Sequence, residues 1–116
     1  MNRRVLAIDD DAEATKILRL LLEKKGFQVL EENDSTRALE TAREYQPDVV
    51  ILDFLMPNVH GGDVAWQLAS DPGLRGVKVI ICSGIPQSEI VSQLPPARIP
   101  ILAKPVDPEA LIALIS

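Results

Sequence analysis

A chain of 116 residues, 47% hydrophobic and 25% charged, is long enough for one buried core and too apolar to remain disordered. Its formal net charge of −5 argues against direct contact with nucleic acid or with an anionic membrane. No apolar stretch approaches the ~20 residues of a membrane span, the first residues do not form a signal peptide, and the single Cys82 can form neither an internal disulfide nor a zinc site.

A cytoplasmic, reducing compartment is therefore expected, with Cys82 as an inert buried thiol. Residues 5–8 form a short apolar run, as in a strand covered on both faces. Ala14, Ile17, Leu18, Leu21 and Leu22 then recur at helical spacing, and Gly26 stops the helix. Residues 27–30 read as a second, weaker strand. Residues 35–45 read as a helix with Ala38, Leu39 and Ala42 inward, capped by Asp34 or Ser35. Tyr45 closes that helix against the core.

Residues 49–52 are the clearest strand, stopped by Asp53. A third helix over 61–69 ends in Asp71-Pro72-Gly73 turn chemistry, and Trp66 falls opposite its inward residues Val64, Ala65 and Leu68, a possible contact point for a partner. His60, in the preceding loop, is expected in solvent. Residues 77–82 make a fourth strand. A short helix over 87–94 is stopped by Pro95-Pro96, residues 99–103 make a fifth strand, and Asp107 with Pro108 opens a last helix. No repeat, linker or low-complexity segment divides the chain, so residues 1–116 are expected to form one domain, which can be a piece cut from a longer protein.

Five alternations of strand and helix predict an α/β fold, a doubly wound (βα)5 unit with a parallel five-stranded sheet. In the common order 2-1-3-4-5, ligands bind at the carboxyl ends of strands one and three. The polar residues fall at that edge. Asp9, Asp10 and Asp11 follow strand one, Asp53 follows strand three, Ser83 follows strand four, and Lys104 follows strand five.

Carboxylates converging in one crevice repel by about 4 kcal/mol per pair at ~4 Å and an effective dielectric near 20. A divalent cation removes that cost, and oxygen ligands without His or Cys favour Mg²⁺, Mn²⁺ or Ca²⁺, with Mg²⁺ the usual companion of phosphoryl groups. Asp9 and Asp10 are assigned to the metal, Asp11 to capping the first helix. Asp53 ends an apolar strand, where a carboxylate is costly unless something requires it. It is the candidate nucleophile for an acyl phosphate. The Lys104 ammonium and the Ser83 hydroxyl would hold the transferred group's oxygens.

The segments VLAIDDD (5–11), VVILDFLMP (49–57) with Gly61 four residues on, VIICSG (79–84) and ILAKP (101–105) together resemble the receiver domains of response regulators, over essentially the whole chain. The resemblance implies a flavodoxin-like receiver fold and a phosphoacceptor role in a two-component phosphorelay, rather than turnover of external substrates. It implies that Asp10, Asp53 and the Leu55 backbone carbonyl coordinate Mg²⁺, with Asp9 acting directly or through water. Asp53 becomes the aspartyl phosphate, Lys104 pairs with the phosphoryl oxygens, and Ser83 swings in to report them. The Lys104-Pro105 bond is then cis. The donor would be a phosphohistidine on a sensor histidine kinase or a histidine phosphotransfer protein, and the output a linked effector domain or a downstream protein.

Two positions depart from the family's pattern. Ile101 stands where many members carry an aromatic ring that moves inward on activation, and Gly84 stands where alanine is common. Three competing readings fit less well. A haloacid-dehalogenase-type phosphatase carries an Asp-x-Asp nucleophile motif after its first strand, whereas Asp53-Phe54-Leu55 follows the third, and the chain is too short for a substrate cap. A flavin or nucleotide module would need a Gly- or Ser-rich loop after the first strand. A receiver-like domain that is never phosphorylated would not need the complete Asp9, Asp10, Asp53, Ser83, Lys104 set.

Overall fold

Alternate residues of a strand point to opposite faces, so a strand apolar at every position must be covered on both sides. The computed structural model, which describes residues 3–116, shows this for β3 (Val49–Asp53), buried along its whole length. It is the middle strand of a sheet completed by β1 (Arg4–Ile8), β2 (Gln28–Glu32), β4 (Lys78–Ser83) and β5 (Ile101–Ala103). All neighbours pair in parallel, in the order β2-β1-β3-β4-β5. The connections carry α1 (Ala12–Glu23), α2 (Ala38–Tyr45), α3 (Gly61–Ser70) and α4 (Gln87–Ile90), and α5 (Pro108–Ile115) follows β5.

The sheet divides the core in two. Leu6, Ile8, Val50, Leu52 and Ile81 face α2, α3 and α4, where Ala42, Val64, Leu68 and Ile90 close over them. Val5, Ala7, Val49, Ile51 and Ile80 face α1 and α5, against Leu22, Leu111 and Ile115. Each such Leu or Ile contributes about 1.5–3 kcal/mol relative to exposure. Among the described residues, no helix is long and apolar enough to cross a membrane.

Several element boundaries differ from the sequence expectation, and each has a local cause. The second strand lies at Gln28–Glu32 rather than 27–30. Its two glutamates extend it because both carboxylates find partners. Glu31 accepts from the Thr15 hydroxyl and from Arg19 Nε, each at 2.6 Å, and Glu32 accepts from the Thr41 hydroxyl at 2.5 Å. The fifth strand is only Ile101–Ala103, because Pro100 has no N–H to give to the ladder. The fourth strand starts at Lys78 and runs on to Ser83.

The expected helix over 35–45 divides into a 3₁₀ turn at Ser35–Arg37, capped by the Asp34 side chain, and α2. The short fourth helix keeps only four α-helical residues and continues as a 3₁₀ turn at Val91–Gln93. Trp66 is outward and 47% exposed, as its position implies, but its indole N–H donates to the Gln93 carbonyl at 3.0 Å. It therefore ties α3 to that turn, so an internal bond accounts for its outward place. Tyr45 packs against the core, its hydroxyl donating to the Gln28 carbonyl at 3.1 Å, with the Arg4 guanidinium 5.7 Å from its ring centre. His60 is exposed, at the start of α3.

Replacing Leu52, fully buried beneath α2 and α3, with alanine should cost about 2–5 kcal/mol. Ile17, 67% exposed, should tolerate the same change within about 0.5 kcal/mol. Urea denaturation of Leu52→Ala and Ile17→Ala checks both values.

Candidate functional site

The parallel sheet delivers its acidic residues to one edge because every strand ends on the same side. Asp9 and Asp10 follow β1, Asp53 is the last residue of β3, Ser83 is the last of β4, and Lys104 follows β5. Asp53 is more than an expected stop signal, since it stays in the ladder opposite Cys82. Gly61, the first residue of α3, lies against it. A Cβ there would meet the Asp53 carbonyl oxygen at 2.4 Å and Phe54 Cα at 2.6 Å, so only glycine lets the helix start this close to the strand.

Lys104 Nζ lies 2.8 Å from Asp53 Oδ1 and 3.4 Å from Asp9 Oδ2. Asp9, Asp10 and Asp53 each place one carboxylate oxygen within 4.8 Å of the others. Burial pushes the Asp9 carboxyl above the usual aspartate range. The Asp11 N–H and Lys104 oppose that shift, and the charge of Asp53 adds to it. For Lys104, burial works to lower the ammonium, but the hydrogen bond and charge of Asp53, joined by Asp9, outweigh it and hold the group above its ordinary value. Three carboxylates against one ammonium leave a formal deficit of two positive charges. An all-oxygen, doubly under-neutralised cluster fits a divalent cation.

The other expected residues divide. Ser83 is 2% exposed, and its hydroxyl accepts the Ile85 N–H at 2.9 Å. Leu55 follows Phe54 at the start of the β3–α3 connection, with its side chain exposed. Asp11 caps α1, accepting from Glu13 N–H and Ala14 N–H at 3.0 and 3.3 Å, as expected. The Lys104-Pro105 peptide is cis, as the resemblance implies. Cys82 is buried, and desolvation pushes its thiol up to about 11, consistent with an inert cysteine. An apolar cleft of about 390 Å³ opens from the site between α1 and α5, lined by Ile17, Leu18, Leu21, Val106 and Leu111.

Asn33 and Ser35 escaped the sequence reading as site residues. Asn33 Nδ2 donates to the Asp9 backbone carbonyl at 2.7 Å, and the Ser35 hydroxyl donates to the Pro57 carbonyl at 3.0 Å. Asn33 sits in a polar run between strand and helix and Ser35 reads only as a cap or first residue of that helix, so no spacing or composition signal points to either as a site residue.

A model of the response regulator receiver domain matches residues 5–116. The chain belongs to that family. It is thus a phosphoacceptor signalling domain of the two-component type. Among curated relatives, this receiver domain is 32% identical over 115 residues to the DNA-binding response regulator MtrA of Mycolicibacterium paratuberculosis, covering 99% of the chain and 50% of MtrA. It is 34% identical to the protein PilH of Pseudomonas aeruginosa, covering 97% and 94% of the two chains. The chain therefore spans about half the length of the MtrA relatives and nearly all of PilH. Among solved structures, the chemotaxis response regulator CheY4 of Vibrio cholerae has a TM-score of 0.87 at 23% identity, covering 98% of this chain and 96% of that one. The receiver domain of a sensor histidine kinase from Pseudomonas aeruginosa, solved with a magnesium ion coordinated in its active-site cleft, has a TM-score of 0.86 at 18% identity, covering 99% and 95%. These likenesses show that the fold is shared.

The raised carboxyl of Asp9 has a consequence for stability. A carboxyl that ionises less readily in the folded chain than in the unfolded one takes stability away as pH rises through its titration. Asp9→Asn should therefore raise the urea midpoint of the chelator-treated protein at pH 7, and the gain should vanish at pH values below the ordinary aspartate range. Equal midpoints at pH 7 would show that burial and Asp53 do not strain this carboxylate.

Proposed function

We propose that Asp53 is the phosphoacceptor of this receiver domain, and that Asp9, Asp10, Ser83 and Lys104 serve its phosphorylation. The observation that carries the reading is the position of Lys104 Nζ, 2.8 Å from Asp53 Oδ1 and beside Asp9, at the carboxyl edge of a parallel sheet. A carboxylate oxygen of Asp53 attacks the phosphorus of a phosphohistidine. The new bond is P–O, the P–N bond breaks, and its electron pair leaves with the imidazole. The donor is a sensor histidine kinase or a histidine phosphotransfer protein.

Lys104, freed from part of its pairing with Asp53, follows the charge onto the phosphoryl oxygens. Phosphoryl transfer asks mainly for positioning and charge neutralisation; the sheet edge supports the first, and Lys104 supplies part of the second. Asp9, Asp10 and Asp53, with the backbone carbonyl of Leu55, would hold a Mg²⁺ ion, whose chemistry there is to neutralise phosphoryl oxygens. Its support is the all-oxygen acidic cluster within 4.8 Å. The domain accepts one phosphoryl group per activation and promotes its own phosphorylation and dephosphorylation, so it is not a turnover enzyme on external substrates. Its place is the cytoplasm. The signal leaves by a linked effector domain or a downstream protein, and a net charge of −5 does not suit direct contact between this domain and nucleic acid.

Incubation with acetyl phosphate and Mg²⁺ should add one phosphoryl group by intact mass, trapped by borohydride at Asp53 and absent in Asp53→Asn. Lys104→Ala should slow the addition by about 10²-fold or more, the usual scale for losing one preorganised charge partner. An adduct that persists in Asp53→Asn overturns the assignment.

The route of the switch follows from Ile101 and Ser83. Ile101 is β-branched, stiff at its first torsion, and packed against the α4 side of the core, so it offers no swinging ring. The Ser83 hydroxyl is held by the Ile85 N–H, and turning toward a phosphoryl group breaks that bond. A ligand shifts an equilibrium only through its different contacts with the two states, so the response should concentrate in residues 83–95. Amide shifts with and without beryllofluoride should show it there. Largest remote changes at Ile101 and α5, with 84–95 quiet, would exclude this route.

A further inference from the structure

Besides Asp53 at the end of β3, the proposed cation site draws on two connections, the turn from β1 to α1 that carries Asp9 and Asp10, and the segment from β3 to α3 that carries Leu55. A third segment, from β2 to α2, touches both. Asn33 Nδ2 spends its two protons on the Asp9 carbonyl at 2.7 Å and on the Thr15 hydroxyl at 2.9 Å. The Ser35 hydroxyl donates to the Pro57 carbonyl at 3.0 Å and accepts the Val59 N–H at 3.3 Å. Between those two partners, Asn58 is in the left-handed conformation with φ of 70°, a turn that asparagine tolerates better than most residues. The serine thus clasps both sides of that turn.

The anchoring converges on the Glu31 carboxylate. The Thr15 hydroxyl, buried in α1, passes its proton to Glu31 Oε1 at 2.6 Å, and Glu31 Oε2 receives Arg19 Nε at 2.6 Å. The Thr15 hydroxyl, whose closer acceptor is Glu31 rather than the Ala12 carbonyl at 3.2 Å, accepts from the Asn33 amide, so that amide cannot turn over without losing its bonds to Thr15 and Asp9. Ser35 is buried, and water competes little for its bonds.

We propose that Asn33 and Ser35 are positioning residues that hold the Asp9–Asp10 turn and the 55–59 segment in register, and so set the affinity of the site for a divalent cation. The inference rests on the reading of Asp9, Asp10 and Asp53 as a cation site. Neither residue touches the reacting atoms. Asn33 works against repulsion, since Asp53 is fixed in β3 and without a cation pushes the Asp9–Asp10 turn away, and Ser35 fixes the segment that carries the Leu55 carbonyl. Held in place, the loops present a preformed site. Released, they must first be ordered by the incoming ion, which weakens binding.

Titration of the 116-residue domain with Mg²⁺, followed by amide chemical shifts, tests this beside urea midpoints measured without the ion. Asn33→Ala and Ser35→Ala should each raise the Mg²⁺ Kd by roughly two- to tenfold, the equivalent of one net hydrogen bond. Ser35→Thr, which keeps the hydroxyl, should stay within about twofold of the parent. Asp10→Ala reports on the site itself. If Asp10→Ala loses binding while Asn33→Ala and Ser35→Ala keep the parent Kd, even with lower urea midpoints, both residues are structural only and the inference is overturned while the cation site stands. If the parent does not bind Mg²⁺, or Asp10→Ala binds it equally well, the cation site fails and the positioning role fails with it.

Discussion

Everything at the functional edge of this domain is arranged around the repulsion of three carboxylates. Asp9, Asp10 and Asp53 bring oxygens within 4.8 Å of one another, where two full charges at an effective dielectric near 20 repel by on the order of 3 kcal/mol. Among the described residues, Lys104 is the one cation set between them, bridging Asp53 and Asp9, and it neutralises one charge of three. A chain free to relax would separate these groups. They stay together because Asp53 is locked into the middle strand of a sheet covered on both faces, and Asp9 follows directly on the neighbouring strand. The packing energy of the core thus holds a charge distribution that is unfavourable by itself and suited to a divalent cation and a phosphoryl group.

The same division of labour explains which parts of the edge are rigid and which are free to respond. On the β1 and β3 side, bonds are numerous. Gly61 sets α3 directly against the Asp53 backbone, Asn33 holds Asp9, and Ser35 holds the Pro57 turn. On the β4 side, Ser83 is held by a single side-chain bond to Ile85 N–H. The element beyond it is one α-helical turn followed by a 3₁₀ turn, tethered from α3 by the Trp66 indole. Local opening is favoured where contacts are few and elements short. The fixed half suits chemistry, and the lightly held half suits signalling.

The fold was legible in the sequence because strand and helix periods record which faces each element buries. The run at 49–52 could only be a doubly covered strand, and the five-fold alternation leaves few topologies once right-handed crossovers are required. Asp11 and Asp107 were legible as caps, since a cap bonds within two or three residues of itself. The main site residues were legible for a related reason. In a parallel sheet every strand ends on one side, so a polar residue after each apolar run is already placed at a common edge.

Partners far apart in sequence were not legible. Asn33 and Asp9 are 24 residues apart, Ser35 and Pro57 are 22 apart, and Trp66 and Gln93 are 27 apart. Each bond joins a side chain to a backbone carbonyl, a group present at every residue and therefore without any trace in composition or spacing. Glu31 and Glu32 fall outside the strand read at 27–30, and their place in β2 shows only once Thr15, Arg19 and Thr41 are seen to donate to their carboxylates. By itself the sequence determined the layers and, taken with the strand order common to such folds, the edge at which the acidic residues and the lysine gather, because the layers follow from which residues avoid water. Only the tertiary structure decided how the loops bearing those residues are held, because that depends on which backbone groups the packed elements bring within a hydrogen bond of one another.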